Sequence, residues 1–134
     1  MATHADADLI IKLYDLRREG VCREARKFFA GWAPTNPDEV QKVSSDPKWT
    51  DNAYTRQSTT YWEMAFSIAN EGAIDANLFA KNCGEGLLFA IKCQWLKAKF
   101  PEVWTRTMPE AEAFIAKNEF AQKKAEMFRG RFTW

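Results

Sequence analysis

The chain has 134 residues with 10 Phe, 6 Trp and 3 Tyr in a hydrophobic fraction of 46%, too apolar for a disordered tail and long enough to bury one unstapled core. Lys and Arg number 19 against 18 Asp and Glu, so bulk charge announces neither a polyanion partner nor an anionic membrane.

The opening Met1 to Asp8 lacks the basic and apolar regions of a secretory signal. Residues 1–6 are expected to be mobile, and they hold His4, the single histidine. The longest apolar run, Leu87 to Ile91, is far short of the roughly 20 residues a membrane span requires. Cys22, Cys83 and Cys93 form no C-x-x-C pair, which argues against a disulfide framework or a zinc site and for reduced thiols in the cytoplasm. No cofactor is expected.

Strand signals are scarce and helical periods dominate. Leu9, Leu13 and Leu16 share one helical face, whereas Val21, Ala25, Phe28 and Trp32 lie about a quarter turn away, which places a break or kink near Gly20. Asn36-Pro37-Asp38-Glu39 is a helix start, with a cap, proline at the first position and acids in the first turn. Ser44 to Asp51 reads as a loop. A long helix follows from about Asp51 to Glu71, closed by Gly72. Its apolar arc includes Tyr54, Tyr61, Trp62, Met64, Phe66 and Ile68, wide enough for a central element, and leaves Arg56, Glu63 and Asn70 outside. Asp75 caps a short helix through Asn82, and Gly84-Glu85-Gly86 separates it from another that runs to Phe100 before Pro101. The last helix opens at Pro109 and continues to about Arg129. The expected fold is all-α, a single domain over 1–134 built as a bundle of about six helices with short connections.

Several of these residues recur together in a recognisable order: Arg23-Glu24-Ala25-Arg26, then Tyr61-Trp62-Glu63, Glu71-Gly72-Ala73-Ile74-Asp75, Gly84-Glu85, and Trp95 before Pro101. From about Leu9 to Phe114 the chain resembles a group of uncharacterised bacterial helical domains of unknown function. The resemblance implies an all-helical fold and supplies no activity or site.

A helix-turn-helix around Gly84 is disfavoured because the helix that would enter the groove begins Leu87-Leu88-Phe89-Ala90-Ile91, where polar side chains are needed to read bases. No nucleic-acid partner is expected. Asp75 to Gly86 has the length of a calcium loop but places Phe79 and Gly86 where oxygen ligands belong. The charges from Lys12 to Lys27, Arg17 and Arg26 among them, read as a solvated face of mixed sign. Paired carboxylates are the minimum for acid–base work in a chain poor in histidine, and Glu63 and Glu85 are the candidates. The wheel places Glu63 in solvent, and the helix dipole alone accounts for Glu85.

Lys92 is the most unusual polar residue, set between two apolar flanks. The expected reading is that its stem packs along a seam and its ammonium snorkels outward. The alternative is a small anionic ligand held by Lys92, Glu85 and Trp95 with Tyr61. A reactive Cys93 would need help from Lys97. Along the last helix, Ala111, Phe114, Ala121, Ala125 and Phe128 form a core face, while Ala113, Ala116, Phe120 and Met127 line up almost opposite. A second apolar stripe needs cover from another layer of this chain, the tail residues Phe132 and Trp134 included, or from a second subunit. The functional expectation is therefore a non-catalytic cytosolic interaction or regulatory module that self-associates through that stripe, with ligand binding at the Lys92 seam as the alternative.

Overall fold

Local side-chain caps start five of the eight helices in the computed structural model, which describes residues 1–134 and contains no strand. Helix α1 (His4–Leu16) starts with a capping box: Thr3 Oγ1 accepts from Asp6 N at 3.2 Å, and Asp6 Oδ2 accepts from Thr3 N at 2.7 Å. The other oxygen of Asp6 accepts from Asp75 N at 3.0 Å, so the segment expected to be mobile contains a capped helix start joined to a distant loop.

The chain then breaks, and α2 (Gly20–Gly31) begins under Glu19, whose carboxylate accepts from the amides of Val21 and Cys22. Helix α3 (Pro37–Ser45) has the expected Asn36 cap and Pro37 at its first turn. Helix α4 (Thr50–Asn70) ends in a Schellman motif: Ala73 N donates to Ile68 O, Gly72 N donates to Ala69 O, and Gly72 takes a φ of +83°, which glycine adopts without strain. Asp75 caps α5 (Ala76–Asn82), accepting from Leu78 N at 2.8 Å. Helix α6 (Gly84–Lys99) stops before Pro101. The single last helix of the sequence reading is two, α7 (Pro109–Lys117) and α8 (Glu119–Arg131), because Asn118 is extended and caps α8 through Ala121 N. The count rises from six to eight through the breaks before Gly20 and at Asn118.

Helix α4 packs against α2, α3, α6 and α7, and α6 also packs against α2, α7 and α8. The rings of Phe66, Phe79 and Phe114 form a mutual cluster with centroid separations of 5.3–5.6 Å. Phe29 meets Phe89 edge-on at 5.0 Å. Gly86 lets α6 approach α4 closely, since a Cβ there would lie 2.6 Å from the Trp62 ring and 2.7 Å from Phe66. The expected face of α4 is rotated. Met64 is exposed and Tyr54 half-buried, while the buried residues of the N-terminal half are the polar Asn52, Thr55, Ser58 and Thr59. Most of their polar atoms are satisfied locally: Thr55 Oγ1 donates to Asp51 O, Thr59 Oγ1 to Thr55 O, and Asn52 Nδ2 to Val43 O. No helix is long and apolar enough to cross a membrane.

Candidate functional site

Lys92 does not snorkel. It is fully buried, and its Nζ donates to Phe29 O at 2.5 Å and Ala30 O at 3.3 Å, two carbonyls in the last turn of α2. The ammonium therefore caps a helix C-terminus, where the backbone dipole favours positive charge. The rings of Phe29 and Trp134 lie 5.3 and 5.2 Å from it. No carboxylate pairs with it, and burial pulls its pKa down to about 7. The wheel of α6 identified the seam but could not show that the end of α2 closes it.

Glu85 and Tyr61 belong to a different cluster. Glu85 takes a bidentate pair from Arg26, Nε to Oε1 at 2.6 Å and Nη2 to Oε2 at 2.9 Å, and also accepts from Trp62 Nε1 at 2.9 Å. Arg26 Nη1 donates to Arg17 O at 3.0 Å, and its pKa is raised by the hydrogen bond to Glu85. Tyr61 donates its hydroxyl to Leu13 O, and burial pushes its pKa up to about 12, so the phenol stays neutral. The Arg17 guanidinium carbon lies over the rings of Tyr14 and Trp62, 4.5 and 5.2 Å from their centroids. Arg17, Arg26 and Trp62 are polar participants that the sequence reading assigned to solvent or core. The available signal was the buried indole, whose N–H needs an acceptor.

Trp95 is half-buried and packs edge-on against Phe100, with Trp134 5.7 Å away. It lines a cleft of about 220 Å³ with Ile91, Gln94, Arg129, Phe132 and Trp134. The seam of Lys92, Glu85, Trp95 and Tyr61 thus divides: Glu85 and Tyr61 sit with Arg26 where α1, α2, α4 and α6 meet, while Lys92 and Trp95 sit with Trp134.

Glu63 is not solvated as expected. Its two oxygens accept from Glu110 N at 3.0 Å and Ala111 N at 2.9 Å, capping the start of α7, and burial raises its pKa despite those bonds. Glu63 and Glu85 serve separate structural contacts and form no acid–base pair. Cys83 and Cys93 are buried, which pushes both thiols up to about 12, so the thiolate that a reactive Cys93 requires is suppressed.

The second stripe of the sequence reading is broken at Asn118. Ala113 is half-buried and Ala116 exposed on α7, while Phe120 and Met127 lie on α8 with 45% and 43% of their surface exposed. The tail does not cover them. Phe132 packs on Phe128, and Trp134 packs on Phe132 and Trp95.

No curated protein and no solved structure matches the chain. The model of DUF4760, a domain of unknown function, matches residues 2–99, which include α1 to α6, the Arg26–Glu85–Trp62 cluster and the Lys92 cap, and the chain therefore belongs to that family.

Proposed function

We propose that this domain is a non-catalytic interaction module of the cytosol that self-associates through the outer face of α8. The observation that carries the proposal is the pair Phe120 and Met127, seven residues apart on one helical face, with 45% and 43% of their surface left exposed. A two-fold copy of α8 supplies matching apolar residues in the commonest closed symmetry. The disposition of the titratable groups supports a role without catalysis, since Glu63, Glu85 and Lys92 each hold a helix end or an indole in place. Three free thiols suit a reducing compartment.

The test is light scattering at several concentrations on the parent and on the double variant Phe120→Glu with Met127→Lys. A dimeric parent and a folded, monomeric variant are expected. A parent that stays monomeric at high concentration overturns the proposal.

A further inference from the structure

The protonated form of Lys92 is a fully buried charge that meets two carbonyls and two rings but no carboxylate within ion-pair distance. The titratable groups of this region do not neutralise it. Cys93, next to it on α6, is kept a neutral thiol by burial, and Arg129 on α8 is paired with Glu126. Glu63, Arg106 and Glu112, from α4, the loop before α7 and α7, act on Cys93 and not on Lys92, while α2 presents the backbone of Phe29 and Ala30. Carbonyl dipoles and ring faces replace only part of the hydration that a buried ammonium loses. The walls around it differ in how firmly they are held. Phe29 and Ala30 lie in the last turn of α2 and Lys92 within α6, so neither wall moves without unwinding a helix. Trp134 lies beyond the end of α8. The last backbone hydrogen bond of the tail runs from Phe132 N to Phe128 O, and Thr133 and Trp134 make none. Ring contacts seat the Trp134 indole, with Phe132 at 5.3 Å and Trp95 at 5.7 Å. That indole also lines the open cleft of about 220 Å³, whose walls do not include Lys92. One loosely tethered ring therefore stands between the cleft and the buried Nζ.

We propose that residues 132–134 form a lid on Lys92, seated over the neutral amine and loosened when Lys92 takes up a proton. The seated indole denies water to Nζ. Rotation of the backbone after Arg131 lifts it, joins the cleft to the amine and lets an ammonium hydrate. Lid and proton are then linked, and the linkage is reciprocal: by whatever factor the seated ring weakens proton binding, the proton weakens the seating of the ring. The lowered pKa of Lys92, about 7, agrees with a site in which lost hydration outweighs the attraction of the carbonyls and rings together. The lid shares no residue with the Phe120 and Met127 face, so this proposal and self-association stand or fall separately.

The experiment titrates the Lys92 Cε resonance of the ¹³C-labelled full chain from about pH 5 to about pH 11, in the parent and in Trp134→Ala. Trp134 itself is followed by ¹⁹F resonance in chains grown on 5-fluorotryptophan, its signal assigned as the one missing from Trp134→Ala. That variant is expected to raise the affinity of Lys92 for its proton about tenfold, because water reaches Nζ once the ring is gone. In the parent, the Trp134 signal is expected to move toward its position in denaturant as the pH falls through the Lys92 midpoint, and in Lys92→Met to stay fixed over the same range. The parent's fluorine titration is decisive even if Lys92→Met fails to fold. An unchanged Lys92 midpoint in Trp134→Ala means that the tail is not the cover, and a lowered one means that the ring holds the ammonium instead of excluding water. Either result overturns the proposal, as does a Trp134 signal in the parent that ignores the Lys92 titration.

Discussion

Lys92→Met should remove a specific pH dependence of stability. In the folded chain burial pulls the Lys92 pKa from 10.5 to about 7. Below pH 7 the ammonium is charged in both folded and unfolded states, and the folded state bears the full cost of burying it. Between about pH 7 and 10 the unfolded chain binds the proton and the folded chain does not, so stability rises with pH at up to about 1.4 kcal/mol per unit. From pH 6 to pH 9 the predicted gain is about 2–3 kcal/mol, and the two α2 carbonyls that favour the ammonium place it at the lower end. The buried thiols act in the opposite sense. Cys83 and Cys93 are raised from 9.0 to about 12 in the folded chain, so their contribution falls as pH climbs past 9. Both proteins share those thiols, and subtracting the variant's curve from the parent's cancels them.

The assay is urea unfolding followed by circular dichroism at pH 6, 7, 8 and 9. For a domain of this size, about 2 kcal/mol corresponds to about 1 M in the midpoint. The parent should gain on Lys92→Met by that amount across the series. At pH 6 the variant removes the buried charge but also strips the Phe29 and Ala30 carbonyls of their donor, so the absolute difference there is a balance of comparable terms. A parent-minus-variant difference that stays constant with pH would refute the reasoning, because it would mean that Lys92 keeps one protonation state throughout.

Three further substitutions probe the core and the polar cluster. Gly86→Ala places a Cβ 2.6 Å from the Trp62 ring and should lower stability by about 1–3 kcal/mol despite the better helix propensity of alanine, read as an earlier urea midpoint; an unchanged midpoint would mean that α6 and α4 can separate freely. Arg26→Met leaves Glu85 with 21% of its side chain exposed and without its cation, and should cost about 3 kcal/mol, whereas Glu85→Gln, which keeps an oxygen for Trp62 Nε1, should cost less. Equal losses in the two variants would refute the reasoning, because an unpaired Glu85 carboxylate would then cost no more than a neutral amide in its place.

The all-helical fold and many helix boundaries were legible in the sequence because they are decided within a few residues of chain. Asn36-Pro37 and Asp75 satisfy amides one turn away, and Gly72 provides the positive φ that ends α4. The break at Asn118 was equally local, an amide side chain capping Ala121 N, but the apolar periodicity running across it concealed it. What the tertiary structure decided was the environment of each charge. The wheels of their own helices place Lys92, Glu63 and Glu85, whereas their partners are the end of α2, the start of α7 and a guanidinium 59 positions away. A wheel shows which side of one helix a residue occupies. It carries no information about what a second helix brings to that side, and a backbone carbonyl or amide from a neighbouring helix end is as strong a partner for a buried charge as any side chain the sequence can advertise.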